Sequence, residues 1–171
     1  MIMEMLEAGG MDVHKTATRK DWNARYRQGD YLPNPIDLYE PDYGDWKIES
    51  PREYDGMAVK VLSPFIPRMA VHDYRVCYML RNHEEIRQSF EAAFGSVMTI
   101  NQIERVEDEA IKQLKNRRDV ADIVYLDYKN VVHNPAESLG RLDWPVNIEI
   151  AAKIPIPDNY RFREGRLVVG L

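Results

Sequence analysis

Short apolar segments alternate with helical segments along most of this 171-residue chain, and this alternation constrains its fold more than any other feature. Apolar runs predict β-strands at residues 58–62, 73–80 and 121–126. The second ends in a nearly continuous apolar run and the third is mostly apolar, which is typical of strands buried on both faces. Because predicted helices separate them, the connection is expected to be a crossover between parallel strands. The sequence therefore predicts an α/β fold with a mainly parallel sheet.

Amphipathic periodicity and capping residues predict the helices that cover this sheet. Asn82 is the predicted cap of a helix over residues 83–94, and a second helix over 100–118 carries an apolar stripe. Asn134, as cap, and Pro135, as first helical residue, mark a helix that extends to about residue 142. Shorter predicted elements are helices over 1–8, 19–27 and 147–153 and a strand over 11–14.

A long irregular stretch covers about residues 16–55 and is rich in Asp, Tyr, Pro, Gly and Arg. Long irregular segments inside a compact domain are often lids or binding loops, so this stretch is interpreted as a loop over a binding site. A disordered insert is the alternative interpretation. All 171 residues are expected to form a single domain.

Charge and composition exclude several classes of function. With 23 Lys and Arg against 28 Asp and Glu, the net charge of −5 argues against broad nucleic-acid capture but is compatible with a local anion pocket. No apolar run approaches the roughly 20 residues that span a bilayer, and the acidic N-terminus does not resemble a signal peptide. Cys77 is the only cysteine and is expected to be a small buried hydrophobic residue. We expect a cytoplasmic protein that binds neither nucleic acid nor membrane.

The residues that follow the second predicted strand combine an arginine and a hydroxyl. Arg81 comes directly after the strand, and Ser89 lies eight residues further along the next helix. Ligands of such folds bind beyond the carboxyl ends of the strands, and a guanidinium with a hydroxyl suits a phosphate. The alternative is that Arg81 pairs with a surface carboxylate while Ser89 is solvated. Spacing by itself favours this alternative.

The segment Tyr-Arg-Val-Cys-Tyr-Met-Leu-Arg-Asn-His-Glu-Glu-Ile-Arg-Gln-Ser, residues 74–89, resembles the 3′-phosphate-binding segment of sulfotransferases. These enzymes use the sulfate donor PAPS (3′-phosphoadenosine 5′-phosphosulfate). The resemblance implies that Arg81 and Ser89 bind the 3′-phosphate. The block that begins at Tyr128 and closes at Pro135 is similar to another block of the family, which implies that Tyr128 lies near the adenine.

Further blocks extend the resemblance, in order, over nearly the whole chain: residues 1–10, 59–65 and 158–161. It implies a three-layer sandwich with a mainly parallel central sheet, like that of the P-loop nucleoside triphosphate hydrolases. The family's first strand and its phosphosulfate-binding loop would precede Met1, so both are expected to be missing from this chain. Either translation starts upstream or the protein is shortened. A shortened protein is expected to complete its sheet with another chain, such as a second copy in a homo-oligomer.

The resemblance also suggests catalytic candidates. Lys60 would orient the transferring sulfate or merely cover the end of its strand, while Leu62 stands where many members have a histidine base. Glu40 and Asp12 are candidate bases for the acceptor proton if the long loop folds over the site, and the alternative for each is a solvated loop acid. His14, after a short predicted strand near the expected cleft, is a further candidate base. The histidines show no ligand spacing, and no metal is expected.

The resulting hypothesis is a sulfotransferase-like protein that binds PAPS or 3′-phosphoadenosine 5′-phosphate. If active, it would transfer a sulfuryl group to a hydroxyl or amine of a small-molecule or glycan acceptor. The alternative is a non-catalytic binding or assembly module that retains the fold. A P-loop kinase is disfavoured, since no GxxxxGK[ST] motif occurs.

Overall fold

The computed structural model describes residues 1–14 and 54–154, together with the backbone of two short strands near the C-terminus. The β-strands are β1 (Tyr74–Leu80), β2 (Val120–Asp127), β3 (Phe162–Arg163) and β4 (Arg166–Leu167). The α-helices are α1 (Ile2–Ala8), α2 (His83–Phe94), α3 (Ile100–Asn116), α4 (Tyr128–His133), α5 (Pro135–Gly140) and α6 (Ile148–Ala151). A 3-10 helix covers Ser63–Arg68.

Strands β1 and β2 pair in parallel, so the predicted α/β class with a parallel sheet is confirmed in its essentials. Their register joins Tyr78 to Tyr125 and Leu80 to Asp127, with one irregularity at the start of β1. The two strands therefore end at the same edge. The short strands β3 and β4 form a separate antiparallel pair.

Both faces of this parallel pair pack against apolar clusters. Cys77 and Met79 on one face pack against an apolar cluster built from α1, α4, α5 and α6. Val76 and Tyr78 on the other face belong to a cluster that includes Leu114 of α3 and residues of the 3-10 helix. The period of two along a strand sends neighbouring side chains to opposite clusters, which explains why the sequence of β1 is apolar on both faces.

The predicted strand over 58–62 is wrong beyond its first residue. Ala58 forms an isolated parallel bridge with Val13, and the predicted strand over 11–14 is likewise reduced to that bridge. A strand needs a neighbouring strand for its N–H and C=O groups, and in the described part of the chain the pairing does not extend beyond Ala58. The 3-10 helix then begins at Ser63, with Pro64 in its first turn.

The capping predictions had mixed outcomes. Asn82 caps α2 as predicted, its side-chain oxygen accepting from the backbone N–H groups of Glu84 and Glu85. Asn134 occupies the N-cap position of α5 with Pro135 directly after it, as predicted, but its side chain makes no capping hydrogen bond. Its own N–H donates to the carbonyl of Asn130, because the unpredicted helix α4 runs directly into Asn134. Helix α4 has its own cap, Asp127, which accepts from Asn130 N at 2.9 Å.

The remaining helices are shorter than, or close to, their predicted spans. Helix α3 ends at Asn116 rather than 118, α5 at Gly140 rather than 142, and α6 covers only the middle of 147–153. The helix predicted near 19–27 and almost all of the irregular stretch 16–55 lie outside the described residues. Among the helices that are described, none has the length and apolar character to cross a membrane.

A partly buried polar knot, centred on Arg117 and Asp119, closes the opposite, amino end of the two strands. The Arg117 guanidinium donates to the backbone carbonyls of Met69 and Ala70 at 2.9 and 2.6 Å and to the carboxylate of Asp119. The same guanidinium lies 5.4 Å from the ring centroid of Tyr74. Asp119 also accepts from the backbone N–H of His72 at 2.9 Å. This knot ties the loop before β1 to the loop before β2.

Candidate functional site

The carboxyl ends of β1 and β2 bring two predicted nucleotide-binding residues together. Because Leu80 and Asp127 are register partners, the residues that follow them, Arg81 and Tyr128, leave the sheet side by side. The Arg81 guanidinium carbon lies 4.8 Å from the centroid of the Tyr128 ring. At that distance the ring face attracts the cation and restricts its orientation. The aromatic contact was not anticipated from the sequence.

A third residue, Glu85, completes this group. Its Oε2 lies 3.3 Å from Arg81 Nε, and the residue is only 8% exposed. The alternative partner expected for Arg81 is a surface carboxylate, whereas the carboxylate that pairs with it belongs to the buried Glu85, four residues along the chain. The spacing of four residues between Arg81 and Glu85 was the signal that could have found it. We call Arg81, Glu85 and Tyr128 the Arg81 cluster.

Ser89 lies one turn further along α2 than Glu85 and is half-buried. Residues four apart lie on the same side of a helix, with an axial separation of about 6 Å. Ser89 is thus on the side of α2 that carries Glu85, but it is not a member of the Arg81 cluster.

The first turn of α2 is also held from the opposite side. His83 Nε2 lies 2.6 Å from Glu107 Oε2 of α3, and His83 Nδ1 lies 3.6 Å from Glu104 Oε1. The imidazole therefore connects the start of α2 to the middle of α3, and so fixes the turn that presents Glu85.

The catalytic candidates His14 and Lys60 each follow one partner of the Val13–Ala58 bridge. His14 N donates to the carbonyl of Ala58 at 2.8 Å, and Lys60 follows Ala58 by two residues and is half-buried. The His14 ring meets that of Tyr54 edge to face, with centroids 5.0 Å apart. Burial lowers the pKa of His14, which favours the neutral imidazole and hence its use as a proton acceptor. Glu40 lies outside the described residues.

Cys77 and His72 have contacts or burial that indicate structural rather than catalytic roles. Burial raises the pKa of the Cys77 thiol to about 12, with a smaller opposing effect of the Arg141 charge, so the thiolate is absent near neutral pH. His72 Nε2 lies 2.7 Å from Asp55 Oδ1. Within residues 1–14 and 54–154, no group of three or more His, Cys, Asp or Glu is arranged to hold a metal ion.

A separate hydroxyl cluster lies on the sheet face that α3 covers. Ser63 Oγ and Tyr78 Oη are 3.2 Å apart, and the rings of Tyr78 and Tyr125 are 5.9 Å apart. The Tyr125 hydroxyl is buried and has no hydrogen-bond partner in the described part of the chain. Burial raises the pKa of Tyr78, so its hydroxyl stays protonated at neutral pH.

Comparison with known proteins gives no match, whether to family models, to curated proteins or to solved structures. The functional argument therefore depends on the chemistry of the Arg81 cluster. A guanidinium oriented by an aromatic ring can bind an oxyanion through parallel N–H donors, and the adjacent carboxylate can accept hydrogen bonds from hydroxyl or amino groups. Such a pair suits a ligand that carries both an anion and nearby donors.

Proposed function

We propose that this chain binds a 3′-phosphorylated adenosine nucleotide, PAPS or its product 3′-phosphoadenosine 5′-phosphate, at the Arg81 cluster. The observation that carries the proposal is the stacking of Arg81 on Tyr128 where two register-paired parallel strands end. In parallel α/β sheets this edge is where ligands bind. The resemblance of residues 74–89 and 128–135 to sulfotransferase segments supports the same nucleotide.

Each residue has a defined role in this proposal. The Arg81 guanidinium binds the 3′-phosphate through its planar donors, and the Tyr128 ring keeps the guanidinium oriented and lies beside the adenine. Ser89, on the same side of α2 as Glu85, adds a hydroxyl donor to the phosphate. The half-buried environment of Arg81 makes the charge contact stronger than it would be in open water.

The reaction that this proposal implies is transfer of a sulfuryl group to an acceptor hydroxyl or amine. The sulfur–oxygen bond to the nucleotide's 5′-phosphate breaks, a bond from sulfur to the acceptor oxygen or nitrogen forms, and the acceptor proton passes to a base. His14 is suited to that role because its lowered pKa keeps it neutral, and Glu40 is the other candidate. Lys60 would stabilise charge on the transferring sulfate. The acceptor is a small molecule or glycan.

The proposed function includes a fold, a three-layer α/β sandwich. The packing of β1 and β2 on both faces, against clusters that contain different helices, supports such a sandwich of the P-loop type. In this proposal the irregular stretch 16–55 belongs to the same single domain and covers the acceptor side of the site. A cytoplasmic location remains part of the proposal.

Isothermal titration calorimetry with 3′-phosphoadenosine 5′-phosphate tests the nucleotide site. A charge-assisted hydrogen bond contributes about 1.5–3 kcal/mol, so Arg81→Ala is expected to weaken binding roughly 10- to 100-fold. The matched control is Arg87→Ala, because Arg87 lies on α2, the helix that follows Arg81, and pairs only with Glu84 and Glu91 among the ion pairs of the described residues. It is expected to keep wild-type affinity.

Two results would overturn the proposal. One is the absence of binding heat for the wild type at millimolar nucleotide. The other is an equal loss of affinity in Arg81→Ala and Arg87→Ala, because a general charge effect would then explain the data. Incubation with PAPS and candidate acceptors, monitored by release of 3′-phosphoadenosine 5′-phosphate, separates the transferase from a non-catalytic binding module.

A further inference from the structure

Glu85 is an unusual neighbour for an anion-binding arginine. Its carboxylate is 3.3 Å from Arg81 Nε, and the side chains of Arg81 and Glu85 are 23% and 10% exposed. The formal charges of the two groups cancel, so the pair has little net attraction for a bare anion such as inorganic phosphate. A phosphate placed on Arg81 also lies close to the Glu85 carboxylate, and this repulsion must be offset by some other contact.

The structure holds the carboxylate in that place. Glu85 is in the first turn of α2, where its backbone N–H donates to Asn82 Oδ1 and where the helix dipole favours negative charge. His83, in the same turn, is tied to Glu107 of α3 at 2.6 Å. The backbone of this turn is therefore anchored from two sides. The low exposure of the Glu85 side chain and its contact with Arg81 favour a carboxylate that stays beside the guanidinium.

We propose that Glu85 determines which phosphates the Arg81 cluster accepts, by binding a hydroxyl on the carbon next to the phosphate ester. This inference rests on the proposed nucleotide function and narrows its ligand class to ribonucleotides with a free 2′-hydroxyl beside the 3′-phosphate. Arg81 binds the phosphate oxygens, while Glu85 accepts the hydrogen bond of the 2′-hydroxyl. A carboxylate accepts several hydrogen bonds at once, so its contact with Arg81 Nε persists.

In this arrangement, specificity for the ribonucleotide depends on whether the ligand offsets the repulsion between its phosphate and the Glu85 carboxylate. The hydroxyl supplies the hydrogen bond that offsets the repulsion between the carboxylate and the phosphate. A 2′-deoxynucleotide or inorganic phosphate meets the repulsion without the compensating bond. Sites that hydrogen-bond a substrate hydroxyl discriminate strongly against analogues that lack it, because the buried polar group of the site then remains unpaired with ligand.

The experiment compares three probes by calorimetry: 3′-phosphoadenosine 5′-phosphate, its 2′-deoxy analogue and inorganic phosphate. Wild type is expected to bind the ribonucleotide at least about tenfold more tightly than the deoxy analogue, the effect of one charge-assisted hydrogen bond. Glu85→Gln is expected to reduce this preference by about tenfold and to bind inorganic phosphate more tightly. The matched control, Glu84→Gln, alters the neighbouring carboxylate, which pairs with Arg87, and should retain the wild-type preference.

The outcomes separate this inference from the proposed function. Equal binding of the ribonucleotide and its deoxy analogue by the wild type, with Arg81 still required, overturns the role of Glu85 and leaves the nucleotide site standing. An undiminished preference in folded Glu85→Gln also overturns it. Failure of all three probes to bind the wild type overturns both proposals. Should Glu85→Gln fail to fold, the wild-type comparison of the two nucleotides decides the question.

Discussion

Replacement of Arg117 by methionine tests the knot that joins the loops before β1 and β2. The substitution keeps an unbranched, largely apolar side chain but removes every guanidinium donor. Arg117→Met therefore breaks the hydrogen bonds to the carbonyls of Met69 and Ala70 and the ion pair with Asp119. It also removes the cation from the Tyr74 ring. The carbonyl of Ala70 keeps the hydroxyl of Tyr74 as a donor at 2.9 Å.

The expected loss follows from the burial of the groups left behind. The side chains of Arg117 and Asp119 are 16% and 15% exposed, so the orphaned carboxylate is only partly rehydrated. A buried polar group that loses its partner costs about 1–3 kcal/mol, and more if it is charged. The backbone N–H of His72 still donates to Asp119, which limits the cost. We expect a loss of about 2–4 kcal/mol in the free energy of unfolding.

Urea denaturation monitored by circular dichroism measures this loss as a lower midpoint at unchanged slope. The control is the adjacent Arg118→Met, because Arg118 is exposed and the change is expected to fall within about 0.5 kcal/mol of wild type. A loss below about 1 kcal/mol for Arg117→Met, or equal losses for the two variants, would refute the knot as a source of stability.

The pH dependence gives an independent check on the same knot. Burial raises the pKa of Asp119, but hydrogen bonds from Arg117 and from the backbone N–H of His72 outweigh it and hold the pKa below its usual range. A carboxyl with a lowered native pKa contributes stability above its unfolded pKa, near 3.9, and loses it as the pH falls through the native value. The difference between wild type and Arg117→Met should be full at pH 7 and shrink below about pH 4.

The remaining predictions concern the packing of the sheet and of α1. Tyr125→Phe removes a buried hydroxyl that has no partner among the described residues, and it should stabilise the fold by up to about 1 kcal/mol. Tyr78→Phe breaks the hydrogen bond with Ser63 and should destabilise the fold. Thermal melts should therefore shift in opposite directions for the two variants, and shifts of the same sign would contradict this prediction. Cys77, with its pKa raised to about 12, should resist iodoacetamide at pH 8 until the protein unfolds, and rapid native labelling would contradict its burial. Gly9→Ala should cost about 1–3 kcal/mol by urea titration, since a methyl group at residue 9 meets the side chain of Val146; an unchanged midpoint would refute that close contact.

Local patterns explain the parts of the fold that were predicted correctly. The apolar runs of β1 and β2 and the cap at Asn82 depend on side chains within a few residues, so the sequence contains their signals directly. Helix α4 was missed because its six residues are too short for helical periodicity to be visible. The missed helix has its own cap, Asp127, and runs directly into Asn134, whose side chain makes no capping hydrogen bond.

The strand prediction at 58–62 failed for a different reason. Its composition is typical of a strand, but a strand exists only where another segment pairs with it, and among the described residues that partner is Val13 alone. Apolar composition measures the tendency to be buried, whereas strand formation requires backbone hydrogen bonds to a neighbour.

The candidate site divides in the same way. Arg81 and its nearby carboxylate Glu85 are four residues apart, so their pairing is a local property that the amino-acid order already contained. The contact of Arg81 with Tyr128 depends on the parallel register of β1 and β2, and the Arg117 knot joins loops 48 residues apart. Short-range sterics and helix capping act within single segments, so the sequence by itself predicts the structures that depend on them. Contacts between segments were decided by how the two clusters packed around the sheet, because only that packing determines which distant groups meet.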